Sequence, residues 1–507
     1  MKKIIAMLLC LILLATCFVA CNKEEESTDN PADSTAAPSE TTGDDDEGDD
    51  EGDDEGDDVG SGIEPITDPA MLNCEGNGSG TVEDPYLLKK QNFADYYENF
   101  NYEYADKHVK LVEDIVINEG NNEEWYAGNN RPTEEGVFGL WKAPIGGNVS
   151  TLTGSLDGDG HSISGICFIG SDGVSDFTEA HRRVALFAGV SGTVKNLKLV
   201  NCYFESNAIE KAAYDETAGI TARIGIANSP DSGALIDNCY VDAIIKANHQ
   251  SDEATGAGGI AGASYGIGTI SNCVFEGEIY AHNTAGGILG ISRDEGGMKI
   301  VNCVNYANIV EADMSAGGIV GYHETNSITI ENCVNAGDIT GKGKTEERQP
   351  GGIIGATKGT EVTIKNCLNT GDLTCSGKKG TVEMGAGAIF GYKKAETKII
   401  IEKCMNLGNA ESGDITVAPI DTSVITVNTY FYVDGYSNSK VDSQIPVSSI
   451  INTWSIISLE KTALESDAEF KEGGKLAGWT FVDATKVPTP CALAEILWTD
   501  VTANATA

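Results

Sequence analysis

Two short phrases alternate through the middle of this 507-residue chain, and their spacing limits what it can fold into. The first ends in cysteine: Leu235-Ile236-Asp237-Asn238-Cys239, Ile270-Ser271-Asn272-Cys273, Ile300-Val301-Asn302-Cys303, Ile330-Glu331-Asn332-Cys333 and Ile364-Lys365-Asn366-Cys367. Looser copies end in Cys202 and Cys404, and Ile166-Cys167 reads as the first copy. Successive cysteines lie 35, 37, 34, 30, 30, 34 and 37 residues apart. The second phrase, Gly-Gly-Ile-x-Gly, occupies 258–262, 286–290, 317–321 and 351–355, with variants around Leu186, Ile220 and Ile389. A third short run follows each cysteine, as in Val334-Asn335-Ala336-Gly337-Asp338-Ile339.

Three short β-prone runs per unit cannot each bury a face alone. Stacking the units solves this, because each run then pairs with its counterpart in the next unit. The expectation is an all-β parallel β-helix solenoid of about eight coils, three strands per coil, with inward ladders of Ile, Leu and Val. A β-propeller is excluded, since a blade needs about four strands in 40–45 residues. The asparagine before each cysteine suits a corner, because asparagine tolerates left-handed backbone and stacked amides bond one another. Glycine, 60 of 507 residues, is the punctuation of the coil.

Stacking predicts one ladder of Cys167, Cys202, Cys239, Cys273, Cys303, Cys333, Cys367 and Cys404, spaced about 4.8 Å apart. Disulfides can span that distance. An evenly spaced column reads better as small buried side chains, and no Cys-x-x-Cys or convergent histidine indicates a metal.

The ends of the chain carry a different message. Lys2, Lys3 and the apolar stretch Ile4–Ala20 read as an export signal. Its end, Phe18-Val19-Ala20-Cys21, resembles the lipobox of bacterial lipoproteins, which implies a lipid on Cys21 and membrane attachment. Leu14-Ala15-Thr16-Cys17 is a weaker competitor, and an uncleaved anchor helix is the alternative. Residues 23–62 hold 18 acids and one lysine and no aromatic residue, so they cannot offset the entropy of ordering and read as an extended spacer. No window of 43–58 has the spacing of an EF-hand loop. The divisions are then 1–20 signal, 21–62 acidic tether, 63–136 N-terminal α/β cap with lead-in strands, 137–440 β-helix and 441–507 small C-terminal cap. In that last segment Ser458 is expected to cap a helix through Phe470, with Trp454, Trp479 and Trp498 as an aromatic core.

The combined phrase, Gly-Gly-Ile-x-Gly followed by Ile-x-Asn-Cys-x-Asn-x-Gly-x-Ile, resembles the GLUG repeat of bacterial surface proteins. That repeat also occurs beside IgA-cleaving metallopeptidases and in adhesin-like lipoproteins. Upstream, Gly78-Ser79-Gly80-Thr81 with Asp84-Pro85-Tyr86, a Phe93/Tyr96/Tyr97/Phe100 helix capped by Asn92, and Lys110–Ile115 resemble the start of such proteins, as Leu156–Gly165 resembles their first coil. The resemblance covers about 78–435. It implies a right-handed β-helix at the extracellular face of a bacterial membrane and supplies no activity.

The search for chemistry is mostly negative. A zinc peptidase requires His-Glu-x-x-His; the only His-Glu, His323-Glu324, has Ser327 in place of the second ligand. Asp157, Asp159 and His161 are the nearest approach to a lyase constellation and read better as turn and edge residues. No catalytic residue, cofactor or metal is assigned. A net charge of −43 repels nucleic acid and acidic polymers alike.

Loop lengths point to one edge instead. From cysteine to the next glycine phrase the counts are 19, 18, 21, 15, 16, 20 and 22, longer and more variable than the return connection. Two short loops, with Tyr280, His282 and Asn283 on one and Met314 on the other, fall between longer ones at 245–257 and 340–350 and predict a notch. Those four residues are the candidate ligand-binding set. The functional expectation is a non-enzymatic adhesin or scaffold for a glycan or host surface protein. The alternative is a polysaccharide lyase or hydrolase with a carboxylate site on one sheet, and a bare spacer presenting no site is the third.

Overall fold

The computed structural model describes residues 78–411 apart from 142, 148–149, 171–182, 208–215, 226–232, 249–254, 294–296, 344–348, 377, 380–381, 384–385 and 394–395, together with strands Ile425–Asp434, Ile456–Glu460, Trp479–Val482 and Val487–Pro490. Two compact units divide the chain, Met1–Glu64 and Pro65–Ala507. Cys21 and the acidic tether lie outside the described residues.

The strand leading into each corner pairs in parallel, in register, with its counterpart one coil on. The rungs are Ser155–Asp157, Thr193–Lys195, Ala234–Asp237, Gly268–Ser271, Met298–Val301, Ser327–Glu331, Glu361–Lys365 and Lys398–Asn406. These eight rungs make a parallel β-helix. His108–Leu111 and Tyr86–Leu88 extend the ladder at one end. At the other it runs on through Ile425–Asp434 and Ile456–Glu460. Ser458 therefore sits inside a strand opposite Tyr432 and caps no helix there. The open edge of the ladder offers backbone partners, and β-branched Ile456 and Ile457 favour taking them. Trp479 begins a strand antiparallel to Val487–Pro490; Trp454 and Trp498 lie outside the described residues.

Each full coil has up to five short strands, where three were expected. One coil reads Met298–Val301, Val304–Asn305, Asn308–Ala312, Ala316–Gly317 and Val320–His323. Two devices divert the chain, and both are written in the repeat. In the first, the two strands of the glycine phrase nearly touch. A Cβ on Gly317 would sit 1.9 Å from the Val320 carbonyl oxygen and 2.6 Å from the Gly355 nitrogen of the next coil.

The second device is a buried asparagine column. Asn305 donates through Nδ2 to Asn335 Oδ1 at 2.7 Å, Asn335 to Asn369 at 2.7 Å, and Asn369 to Asn406 at 2.6 Å. Each amide also donates to the carbonyl two residues on, at Ala307, Gly337, Gly371 and Gly408, which turns the chain. The column ends where Phe275 pairs with Asn305. Polar side chains belong in this core because their amides bond one another.

The corner asparagines Asn196, Asn238, Asn272, Asn302, Asn332 and Asn366 all have φ between 49° and 56°. Their amides form a second, outer chain: Asn302 to Asn272, Asn332 to Asn302 and Asn366 to Asn332, each at 3.0 Å.

Six cysteines stand in one column, Cys239, Cys273, Cys303, Cys333 and Cys367 each after a corner asparagine and Cys404 after Lys403, whose φ is 52°. Each thiol lies 3.5–3.8 Å from a carbonyl oxygen of the preceding coil. Cys202 and Cys167 do not join them. Asn238 stacks on Asn196, so Leu197 fills the place before Cys239, and Cys202 faces Ala243 past a bulge. Cys167 pairs with Tyr203 in an outer cluster with Trp125 and Ile244. Burial pushes both of these thiols up to about 12. All eight are free thiols.

Helix α1 (Lys90–Asn99) lays Phe93 and Tyr96 onto the first coils, and Phe100 follows in a wider turn. Phe93 meets Trp141, and Phe100 meets Phe187. Lys89 N donates to Asn92 Oδ1 at 2.7 Å, which makes Asn92 the third helical residue and Lys89 the cap.

Candidate functional site

Positions that repeat identically hold the coils together, so a recognition surface has to be built where the coils differ. One outer corner is such a place. Strands Lys198–Ser206, Tyr240–Ala247, Val274–Ala281 and Asn308–Ala312 place Glu205, Lys246, Tyr280 and Glu311 in consecutive register there. One residue further, His282, Asp313 and Lys342 follow the paired Ala281, Ala312 and Gly341.

A strap from the N-terminal segment packs on this corner. It holds helix α2 (Asn122–Tyr126), tied down where Asn122 N donates to Asn201 Oδ1 at 2.8 Å. Trp125 is fully buried among Cys167, Tyr203 and Ile244. Arg131 Nη2 reaches Glu205 Oε2 at 3.2 Å, and its guanidinium lies 5.4 Å from the Tyr203 ring centre. Glu205 also accepts from Lys246 Nζ at 2.8 Å and Tyr203 Oη at 2.7 Å. Burial alone would push its carboxyl up; the Lys246 ammonium, Tyr203 hydroxyl and Arg131 outweigh this and hold it below its ordinary value. With 4% exposure, Glu205 pins the strap to the coils.

Beyond that pin the strap delivers Tyr126, whose ring stacks on Tyr280 at 4.7 Å and 18°. Lys246 Nζ lies 5.7 Å from the Tyr126 ring centre. Tyr280 Oη donates to Glu278 Oε2 at 2.6 Å. Burial and that carboxylate push the Tyr280 phenol above its ordinary value.

The candidate residues are thus unequal. Tyr280 is half-buried and His282 is exposed, with its Nε2 3.5 Å from Asp313 Oδ2. Asp313 is nearly buried and pairs with Lys342 Nζ at 2.9 Å, and Lys342 also pairs with Glu311. Asn283 is buried, accepts from Thr284 Oγ1 at 3.1 Å and belongs to the turn, so it presents nothing to a ligand. Met314 is half-buried beside it, its N–H bonded to the Asn283 carbonyl. The centres of the two longer loops, 249–254 and 344–348, lie outside the described residues. The sequence singled out Tyr280 and His282. Tyr126, Lys246, Glu311, Asp313 and Lys342 are additions the structure makes.

Other candidates for chemistry are tied into the fold. Asp157 pairs with Lys195 at 3.1 Å and accepts from Asn196, Asp159 pairs with Lys110 at 2.8 Å, and His161 lies 3.5 Å from Asp114. Among the described residues, no group of three or more His, Cys, Asp or Glu could hold a metal.

His323 ends strand Val320–His323, fully buried, with Nδ1 2.9 Å from Thr357 Oγ1. Burial lowers its pKa to about 4, against about 6.5 unfolded. The folded chain then binds fewer protons than the unfolded one between those values. This contribution to stability is complete above about pH 6.5 and is lost as pH falls towards 4. In urea titrations the wild type is expected to lose about 3 kcal/mol more than His323→Gln across that window. Parallel pH profiles would show the assignment to be wrong.

The GLUG motif matches residues 312–340. That stretch holds the glycine reversal at 317–321, the corner Asn332, Cys333 and the buried Asn335. One similar solved structure is described as "a putative immunoglobulin A1 protease from Bacteroides ovatus". It is 20% identical, with a TM-score of 0.43 over 62% of this chain and 86% of that one. No curated protein matches the sequence. The chain carries the GLUG motif in its repeat, and the repeat stacks as a parallel β-helix.

Proposed function

We propose that this chain is a lipid-anchored surface scaffold that binds a glycan or a host surface protein without transforming it. One observation carries the reading. The corner stripe changes chemistry at every coil, through Glu205, Lys246, Tyr280 and Glu311, while the cysteine and asparagine columns repeat. Stacking needs no such variety, whereas selective recognition does. Glu205, a buried carboxylate of the stripe, is neutralised by Arg131 and Lys246 and serves as no free acid or base. A lipid on Cys21 and the acidic spacer after it hold the solenoid off the extracellular face of a bacterial membrane.

The test uses full-length protein in detergent against polysaccharides, with and without Ca²⁺, and against host matrix proteins. Saturable binding without new reducing or unsaturated ends is expected. Release of such ends overturns the reading in favour of a polysaccharide-cleaving enzyme.

A further inference from the structure

We infer that Tyr280 and Tyr126 form the floor of a subsite for one ring of a neutral, linear glycan lying along the solenoid axis. The inference rests on the scaffold reading above and specifies its ligand. Tyr126 covers one face of Tyr280, and among the described residues no ring or cation covers the other. A rigid aromatic face with a polar rim is the surface that the C–H face and hydroxyls of a sugar fit.

The rim is present. His282 in the same coil, Glu311 one coil on and Lys342 two coils on are exposed or half-exposed. A carboxylate and an ammonium side by side can accept from and donate to neighbouring hydroxyls.

Charge selects the class. Lys342 is already paired with both Asp313 and Glu311, and Lys246 with Glu205, while Glu278 stands beside Tyr280. The stripe therefore has no cation to spare for a uronate or a sulfate, and the net charge of −43 opposes both. Geometry selects the shape. The stripe runs along the stack with a rise of about 4.8 Å per coil, close to the advance of one sugar in an extended chain, so successive sugars meet successive coils. A peptide strand gains little here, because the lateral face of the solenoid offers no free sheet edge. The strap holds Tyr126 in place through Trp125 and the Arg131–Glu205 pair.

Full-length protein is titrated calorimetrically with linear β-1,4-glucan, β-1,4-mannan and N-acetylated chito-oligosaccharides, and with polygalacturonate and chondroitin sulfate. At least one neutral chain is expected to bind, and the acidic ones at least about tenfold more weakly. Tyr280→Ala and Tyr126→Ala should each weaken binding about tenfold or more, while Tyr280→Phe and Tyr126→Phe stay within about twofold. Circular dichroism confirms that each variant is folded. Equal binding by both alanine variants, or tighter binding of an acidic chain, overturns the subsite and leaves the scaffold reading standing. Failure to bind any glycan or any matrix protein overturns both.

Discussion

Gly318→Val is expected to remove more than about 4 kcal/mol of stability, enough to unfold the coils around it. A Cβ at this position would lie 2.2 Å from the Gly352 carbonyl oxygen and 2.3 Å from Asn335 Cγ, both in the next coil. The next coil cannot retreat, because Ile319 N and Val320 N both donate to the Ile353 carbonyl at 3.0 Å. Overpacking usually costs about 1–3 kcal/mol when side chains give way; here the obstruction is backbone and a buried amide. Ala388 occupies the same place in the last phrase, where no further glycine phrase follows. Because each coil is held mainly by its neighbours, damage at one interface spreads along the stack. Urea unfolding followed by circular dichroism checks this against Thr363→Val on the outer face, expected within about 0.5 kcal/mol of wild type. Wild-type stability in Gly318→Val would refute the close-contact explanation of the glycine phrase.

Asn335→Leu is the second large loss expected, about 3–5 kcal/mol. The side chain is fully buried and sits mid-column. Its removal strips a donor from Asn369 Oδ1 and from the Gly337 carbonyl, and an acceptor from Asn305 Nδ2. Each buried group left without a partner costs about 1–3 kcal/mol. Replacing Asn305, Asn335, Asn369 and Asn406 together by leucine should cost less than four times the single change, since inner partners are removed in pairs. Phe275 already occupies the preceding position of that column, which shows that an apolar side chain fits there. Additive losses across the series would contradict the network.

The periodicity of the phrases made the solenoid legible, because each phrase has a backbone job. Asn238 to Asn366 turn corners, and Gly286 to Gly355 permit close reversal. Cys202 was misplaced because Val194-Lys195-Asn196-Leu197 performs the same corner with leucine in the cysteine's place, and only pairing to Ala234–Asp237 reveals it. The buried column was visible as Asn-x-Gly after Cys333, Cys367 and Cys404, with Asn305-Tyr306-Ala307 as a looser copy. Its inward direction was not, since an asparagine next to a turn reads equally well as surface. Tyr280 and His282 emerged from loop lengths. Tyr126 did not, because the strap meets Tyr280 across several coils and no local pattern encodes that contact.

The central claim is a division of labour, in which repeated positions hold the stack and the unrepeated corner binds. Melting and neutral-glycan titration of Tyr280→Ala, beside Gly318→Val, test it most directly. The expected result is melting of Tyr280→Ala within about 2 °C of wild type, with affinity lowered about tenfold or more, while Gly318→Val loses its cooperative transition. A Tyr280→Ala protein that is destabilised like Gly318→Val, or one that binds as the wild type does, would contradict it.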